Sequence, residues 1–211
     1  MKIAIIGSGN VGKALAKRWA ANGHQVIFGS RDPKSEKMQG VLQEIGANVH
    51  AGPVHMATVN ADVIVLATPW GEATETVIRD AGDLSGKIVV DATNPLNPGL
   101  QGLALGYNTS AGEQVAAWAA NARVVKAFNT TGAGNMLDPN YGGQAATLFI
   151  CGDADEAKKV VAGLASEIGF DVVDVGALSM ARELEPLAML WVRLAYVQGL
   201  GPNIAFKLLK R

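Results

Sequence analysis

Several things are scarce in this 211-residue chain, and each scarcity narrows what it can be. A single cysteine, Cys151, rules out an internal disulfide and suits a reducing cytoplasm rather than an oxidising compartment. It closes an apolar strand pattern and reads as a buried core thiol. Three histidines, with no Cys/His spacing among them, leave no zinc-type centre, and Asp153, Asp171 and Asp174 lack metal-ligand spacing as well. No metal is expected. With 18 basic against 19 acidic residues the net charge is −1, so no basic field exists for nucleic acid or for an anionic membrane surface. No uninterrupted apolar run reaches the roughly 18 residues that a membrane span needs. Leu184 to Leu200 comes nearest, and Glu185, Pro186, Arg193, Gln198 and Gly199 interrupt it. Met1 leads straight into an apolar strand pattern, which leaves no room for a signal or transit peptide. Low-complexity tracts, internal repeats and linkers are missing too, and the expectation is one compact domain over 1–211. A hydrophobic content of 49% is enough to give it a core.

The most informative stretch is Lys2 to Arg31. Lys2-Ile3-Ala4-Ile5-Ile6 is a short apolar strand run leading into Gly7-Ser8-Gly9-Asn10-Val11-Gly12. A helical pattern follows to Asn22, then a second strand run, Gln25 to Phe28. A GxGxxG sequence between strand and helix, within a βαβ unit, is the fingerprint of dinucleotide binding. Its glycines allow the tight turn, close backbone approach to a pyrophosphate and close helix–strand packing. The helix-start amides and dipole then favour the phosphates. About twenty residues after the glycines, NAD-binding chains place an acidic residue for the ribose 2′-hydroxyl. Gly29-Ser30-Arg31 stands there instead. A carboxylate would repel a 2′-phosphate, whereas a guanidinium grips one with forked, charge-assisted bonds. Ser30 and Arg31, helped by Lys34, therefore predict NADP(H) as the dinucleotide.

Further along, strand and helix patterns alternate. A helical segment is expected over Lys34–Ile45, a short strand over Asn48–His50 and a helical turn over His55–Asn60. Asp62–Ala67 and Lys87–Ala92 are near-continuous apolar runs, as expected of strands buried on both faces of a parallel sheet. A helix over Glu72–Ala81 lies between them. Leu96–Thr109 reads as a long loop, and Ser110 with Glu113 as a capping box opening a helix to Asn121. Arg123–Phe128 is a further strand, followed by a loop from Asn129 to Gly143. Thr147–Asp153 (strand and turn), Asp155–Ile168 (helix) and Asp171–Val175 (strand) come next. A helical tail is expected from about Ser179 to Gly199 and again over Pro202–Leu209. The alternation predicts an α/β fold: a Rossmann-type, doubly wound, mostly parallel sheet with a C-terminal helical segment packed on it.

In such sheets ligands lie beyond the carboxyl ends of the strands. That places Ala67, Thr68, Pro69 and Trp70, then Asn94-Pro95, then Asn129 to Met136, on the reactive side. None of these is a carboxylate or histidine, so no catalytic acid or base is predicted. The structural role predicted for His24, His50 and His55 follows from their positions at strand beginnings or edges. Lys126 is expected to pair with a nearby carboxylate, which leaves Tyr107 and Tyr141 as the remaining proton-donor candidates. A site so poor in acid–base groups fits hydride transfer to a flat redox ring.

Six blocks in this order carry a family resemblance: Gly7–Gly12, Gly29–Arg31, Ala67–Trp70, Lys126–Thr130, Cys151–Asp153 and the helix start Glu183–Leu187. The chain resembles the NADPH-dependent deazaflavin (coenzyme F420) reductases and is similar to the cytosolic oxidoreductase domain of the STEAP metalloreductases. The resemblance implies reversible hydride transfer between NADP(H) and a small-molecule redox acceptor, a deazaflavin or a flavin such as FMN or FAD. It places the pyrophosphate on Ser8–Gly12 and the ribose and nicotinamide beside Ala67–Trp70, Asn94 and Ala133. It also implies a homodimer and a C-terminal helix that helps to cover the ring cleft; Leu187, Leu190, Trp191 and Leu194 could do this, although ordinary core packing is the favoured reading of that stripe. Asn129 stands where archaeal deazaflavin reductases carry histidine. The rival readings are a reductase of a small imine or carbonyl, which needs a further helical domain, and a non-catalytic NADP-binding redox sensor.

Overall fold

The computed structural model describes residues 1–46 and 48–211. Its centre is an eight-stranded sheet in the order β10-β9-β6-β5-β4-β1-β2-β3. These strands are β1 (Lys2–Ile6), β2 (Gln25–Gly29), β3 (Val49–Gly52), β4 (Val63–Leu66), β5 (Ile88–Asp91), β6 (Arg123–Lys126), β9 (Thr147–Gly152) and β10 (Asp171–Asp174). β1 to β6 are parallel; β9 runs antiparallel to β6, and β10 parallel to β9. The crossovers are α1 (Asn10–Ala21), α2 (Glu36–Ile45), α3 (Val54–Val59), α4 (Glu72–Asp80) and α5 (Ala111–Trp118). α6 (Ala133–Leu137) and the hairpin β7 (Asn140–Tyr141)–β8 (Gln144–Ala145) lead into β9; α7 (Asp155–Ser166) and α8 (Ala181–Val192) follow. This is the expected Rossmann-type doubly wound sheet, with strand order reversing between β1 and β4.

Alternation along the strands builds a core on each face. Ile3 and Ile5 point to the face covered by α1, α2 and α7, where Leu15, Trp19, Met38 and Leu164 pack. Ala4 and Ile6 point to the other, against Val54, Val77, Ile78 and Val115 of α3, α4 and α5. Trp19 is fully buried, donates its indole N–H to the Leu164 carbonyl at 3.0 Å and meets Phe128 edge-on. That bond fixes α1 against α7 across the sheet edge.

Several boundaries differ from the sequence reading, each for a local reason. The second helix begins at Glu36 rather than Lys34. The Asp32 carboxylate accepts from the Lys34 amide, and the Ser35 hydroxyl oxygen caps the Met38 amide. β3 is displaced to Val49–Gly52 because Asn48 takes φ +72°. Within the expected 129–143 loop lie α6 and half of a hairpin, both too short for a periodic signal. Glu113 does not reach back to a backbone amide: it accepts from the Ser110 hydroxyl at 2.8 Å and from Arg182.

The largest correction concerns the tail. α8 continues through a π-helical turn, Arg193–Val197, and regular structure stops there. Residues 202–209 carry no helix and no strand. The Thr147 amide donates to the Phe206 carbonyl and the Leu208 amide to the Thr147 hydroxyl, so the strand margin outcompetes local helix propensity. Trp191 and Asn135 both donate to the Ile204 carbonyl, strapping the tail across α6.

α8 is joined to the sheet by charge. Lys126, fully buried at the end of β6, places Nζ 2.8 Å from Asp91 Oδ2 and 2.8 Å from Glu185 Oε1, and donates to the Thr93 carbonyl at 2.8 Å. The pairing expected of Lys126 is present, with two carboxylates. Burial pulls its pKa down, but the charges and hydrogen bonds of Asp91 and Glu185 outweigh that and raise it. Breaking a buried pair strands the remaining charges, so Lys126→Met is expected to lower unfolding free energy by about 3–5 kcal/mol in urea titration. Because the folded-state pKa is raised, this stabilisation is complete below an ordinary lysine pKa of about 10.4 and lost only as pH climbs through the folded value. The wild type should therefore lose stability steeply above about pH 10.4, and Lys126→Met should not show that component.

Candidate functional site

The site lies on the carboxyl edge of β6-β5-β4-β1-β2, where parallel strands bring five turns to one side. Gly7, with φ +119°, ends β1. A Cβ there would sit 2.2 Å from the Ala67 carbonyl oxygen, so only glycine lets the β1 and β4 turns touch. A Cβ on Gly12 would lie 1.9 Å from the Gly7 carbonyl oxygen, which lets α1 pack directly on the turn. Gly9 differs: a Cβ on it would meet nothing within 4 Å. Two of the three glycines thus serve packing within the chain, while the third keeps a space outside it clear.

α1 opens onto that space. Gly9 caps it without a side chain, and its first turn carries no acidic residue. Intrahelical bonding begins with the Lys13 amide on the Gly9 carbonyl at 2.9 Å, so the amides before it lack helical acceptors. Ser8 is half-buried beside Gly7, Asn10 is exposed, and Val11 packs against the core. At the end of β2, the Ser30 amide donates to the Gly52 carbonyl and its hydroxyl oxygen accepts from the Asp32 amide. Arg31 and Lys34 are exposed. Arg31 has no ion pair among the described residues, whereas the Asp32 carboxylate beside it faces the Lys34 amide of its own turn.

Beyond β4, the Thr68 and Thr74 hydroxyls lie 3.1 Å apart, and Thr74 donates to the Pro69 carbonyl. Trp70 lies on this turn, but its ring is stacked on Trp118 with centroids 5.3 Å apart, so it serves the α4–α5 packing. Beyond β5 and β6, Asn94 and Asn129 form a reciprocal pair. Asn94 donates to the Asn129 backbone carbonyl at 2.8 Å, and Asn129 donates to Asn94 Oδ1 and to the Leu184 carbonyl. Asn129 Oδ1 and Thr130 Oγ1 are buried with no hydrogen-bond partner. Phe128, just before them, holds φ +63°, an outlier for a bulky residue and the kind of strain that clusters at functional sites. Ala133 is half-buried at the first position of α6, behind Gly132, where a Cβ would press within 2.6 Å of the Trp191 ring. The loop Leu103–Tyr107 and the start of α8, Arg182 to Pro186, enclose a cleft of about 770 Å³ on the same side.

The structure brings the glycine turn, Ala67–Pro69, Asn94 and Ala133 onto one edge, with Ser30–Lys34 at its β2 end. Of the proton-donor candidates, Tyr107 lies on the loop that borders this cleft, its side chain almost wholly exposed, and Tyr141 is engaged elsewhere, donating to Asn135 Oδ1 at 2.7 Å. His24 pairs with Glu167. Cys151 is buried, and burial pushes its thiol up to about 12. Sequence reasoning missed the Asn94–Asn129 pair and the strain at Phe128. Neither leaves a local signature; both arise from contacts between distant turns.

This strand order and glycine turn define a Rossmann-type dinucleotide-binding protein. The family model described as "NADP oxidoreductase coenzyme F420-dependent" matches residues 2–95. The F420-dependent NADP reductase of Methanothermobacter thermautotrophicus is 32% identical over 207 residues, covering 92% of this chain and 89% of that one. A solved structure from Arthrobacter sp. FB24, assigned to the F420-dependent NADP reductases, superposes over all of both chains with a TM-score of 0.89 at 34% identity. Rat metalloreductase STEAP3 is 32% identical over 189 residues, covering 89% of this chain; the chain spans only 36% of that protein. The chain belongs to the F420-dependent NADP reductase family and is an NADP-dependent oxidoreductase.

The contrast among the glycines is testable. Gly12→Ala gains helix propensity of about 1 kcal/mol yet forces a clash with backbone, and is expected to cost at least about 2 kcal/mol net in thermal or urea unfolding. Gly9→Ala, with φ −75° and open space around it, is expected to change stability by less than about 0.5 kcal/mol.

Proposed function

We propose that this protein passes hydride between NADPH and a flat, deazaflavin or flavin-type acceptor, with coenzyme F420 the first candidate among acceptors. The observation that carries the reading is how the edge near β5 and β6 spends its polar groups. Lys126 commits its ammonium to Asp91, Thr93 and Glu185, and the two asparagines bond each other. A carbonyl or imine reductase needs a positioned proton donor. Hydride delivery to a redox ring needs mainly alignment. Relatives named F420-dependent NADP reductases, covered over most of their length, support the same acceptor class.

NADP(H) fits the residues present. The space kept clear by Gly9, next to helix-start amides without partners, suits a pyrophosphate held by Gly7, Ser8, Asn10, Val11 and Gly12. Ser30, the unpaired guanidinium of Arg31 and Lys34 suit a 2′-phosphate. Ala67, Thr68, Pro69, Asn94 and Ala133 would border the ribose and nicotinamide; Trp70 contributes to this turn through packing. When bound, the dinucleotide supplies the hydride at its nicotinamide ring. The chain's part is to fix the ring's plane through the β4, β5 and α6 turns and to leave the cleft bordered by Leu103, Tyr107, Arg182, Glu183 and Pro186 for the acceptor. We also assign a homodimer to the outward face of the C-terminal region, where Leu190, Tyr196, Val197 and Leu200 are about half or more exposed. Trp191 is core, in line with the packing reading of that stripe.

NADPH is expected to bind at least about tenfold tighter than NADH in fluorescence titration, the size of a charge-assisted phosphate contact. Arg31→Glu should narrow or invert that ratio without altering the melting temperature; equal affinities in the wild type would sink the 2′-phosphate assignment. In a stopped-flow acceptor screen, oxidised F420 or FMN is expected to accelerate NADPH oxidation. Turnover confined to an imine or aldehyde would favour the rival reductase reading.

A further inference from the structure

Three ionisable side chains, each at most 1% exposed, meet behind the carboxyl edge of β5 and β6: Asp91, Lys126 and Glu185. Each is held by hydrogen bonds within the fold. Asp91 Oδ1 accepts the Thr93 amide at 2.9 Å and the Thr93 hydroxyl at 2.6 Å. Glu185 accepts the amides of Ala111 and Gly112, at the N-terminus of α5, at 2.9 and 3.1 Å. The ammonium of Lys126 has three acceptors for its three protons. The cluster therefore holds two carboxylates against one ammonium. The N-terminus of α5 offsets about half a charge, which leaves a negative excess in a dry interior where screening is weak.

One carboxylate would suffice to pair Lys126, and a buried ion cluster is a poor way to gain stability. Glu185 caps α5 and ties α8 to the sheet, and the position of the cluster gives its charge a second consequence. Lys126 holds the carbonyl of Thr93, the residue before Asn94, so the cluster lies directly under the turn assigned above to the nicotinamide. Asn129 Oδ1 and Thr130 Oγ1, buried on the same edge, have no hydrogen-bond partner among the described residues. The nicotinamide ring is neutral in NADPH and carries a positive charge in NADP⁺.

We propose that the excess negative charge of the Asp91–Lys126–Glu185 cluster makes the protein favour the oxidised, cationic dinucleotide and so makes bound NADPH a stronger hydride donor. The cluster acts through its field, without touching the reacting atoms. It takes up no proton or electron; the two electrons and one proton of the hydride pass from NADPH to the acceptor, and the ring left behind gains the charge that the field stabilises. This inference rests on the NADP(H) site proposed above.

The measurement is the ratio of dissociation constants, Kd(NADPH)/Kd(NADP⁺), by calorimetry on the full chain. Glu185→Gln and Asp91→Asn each remove one negative charge while keeping side-chain size. Either is expected to lower the ratio about fivefold or more, the effect of removing one nearby unit charge at an effective dielectric near 20. The change should fall mainly on NADP⁺. Asp80→Asn, an exposed carboxylate at the end of α4, is the control and should leave the ratio unchanged. A folded Glu185→Gln or Asp91→Asn with the wild-type ratio overturns the proposal, as does an equal change in Asp80→Asn. Should both cluster variants fail to fold, the wild type still decides: NADPH binding more than tenfold tighter than NADP⁺ overturns it, and NADP⁺ binding as tightly or tighter supports it. If the wild type binds neither form, the assigned dinucleotide site itself fails, a result distinct from an unresponsive ratio.

Discussion

The buried ammonium of Lys126 is the interaction on which the arrangement of the carboxyl edge depends. It binds β5 through Asp91, the following turn through Thr93, and α8 through Glu185, which in turn caps α5. Parts of the chain as far apart in sequence as Asp91 and Glu185 thereby share one contact set. Hydrophobic packing alone would let α8 slide along the sheet, because apolar contacts are non-directional. Charged hydrogen bonds at 2.8 Å do not tolerate that, and they set where Leu184 can receive Asn129.

The consequences run outward to the site. With α8 fixed, Trp191 packs against Gly132 and holds the start of α6, where Ala133 stands. Asn135 and Trp191 share the Ile204 carbonyl, so the tail braces the same helix from outside. On the other side of the sheet's switch point, Gly7 and Gly12 bring the β1 turn against Ala67 with no side chain between them. The reactive edge is thus assembled from two rigid halves, one held by charge and one by close backbone contact. Alignment of this kind is what hydride transfer between two flat rings requires.

How much of this could be read in the sequence followed the range of the responsible contacts. The strand–glycine–helix unit was legible because its pattern and its reason are both local, and Ser30-Arg31 is a property of one turn. That Lys126 needs a carboxylate followed from its place on an apolar strand. Which carboxylates could not follow, since Asp91 lies 35 positions away and Glu185 belongs to another layer. The segment 202–209 looks helical in isolation; its bonds to Thr147, which no local pattern announces, take the place of helical ones. Trp70 occupies the expected turn, yet its ring finds Trp118, a contact that no spacing rule contains. Five-residue α6 is too short to nucleate alone and exists only because α1 and the tail hold it.

The same distinction separates what the two halves of the site do. In the site proposed above, local sequence selects the dinucleotide, through glycines that admit a pyrophosphate and an arginine in place of an acid. Long-range contacts there seat the reactive ring and set the field it meets. A carboxylate exchanged at Arg31 alters one exposed side chain; a carboxylate removed at Glu185 alters a charge in the interior, the capping of α5 and the seat of α8 together. Selectivity for the phosphate is therefore open to single substitutions, whereas the chemistry at the ring is bound up with the stability of the fold. An interior ion cluster with one carboxylate more than its lysine needs is hard to account for on stability alone. It is accounted for if the charge that burdens the fold also stabilises the charge that the reaction creates.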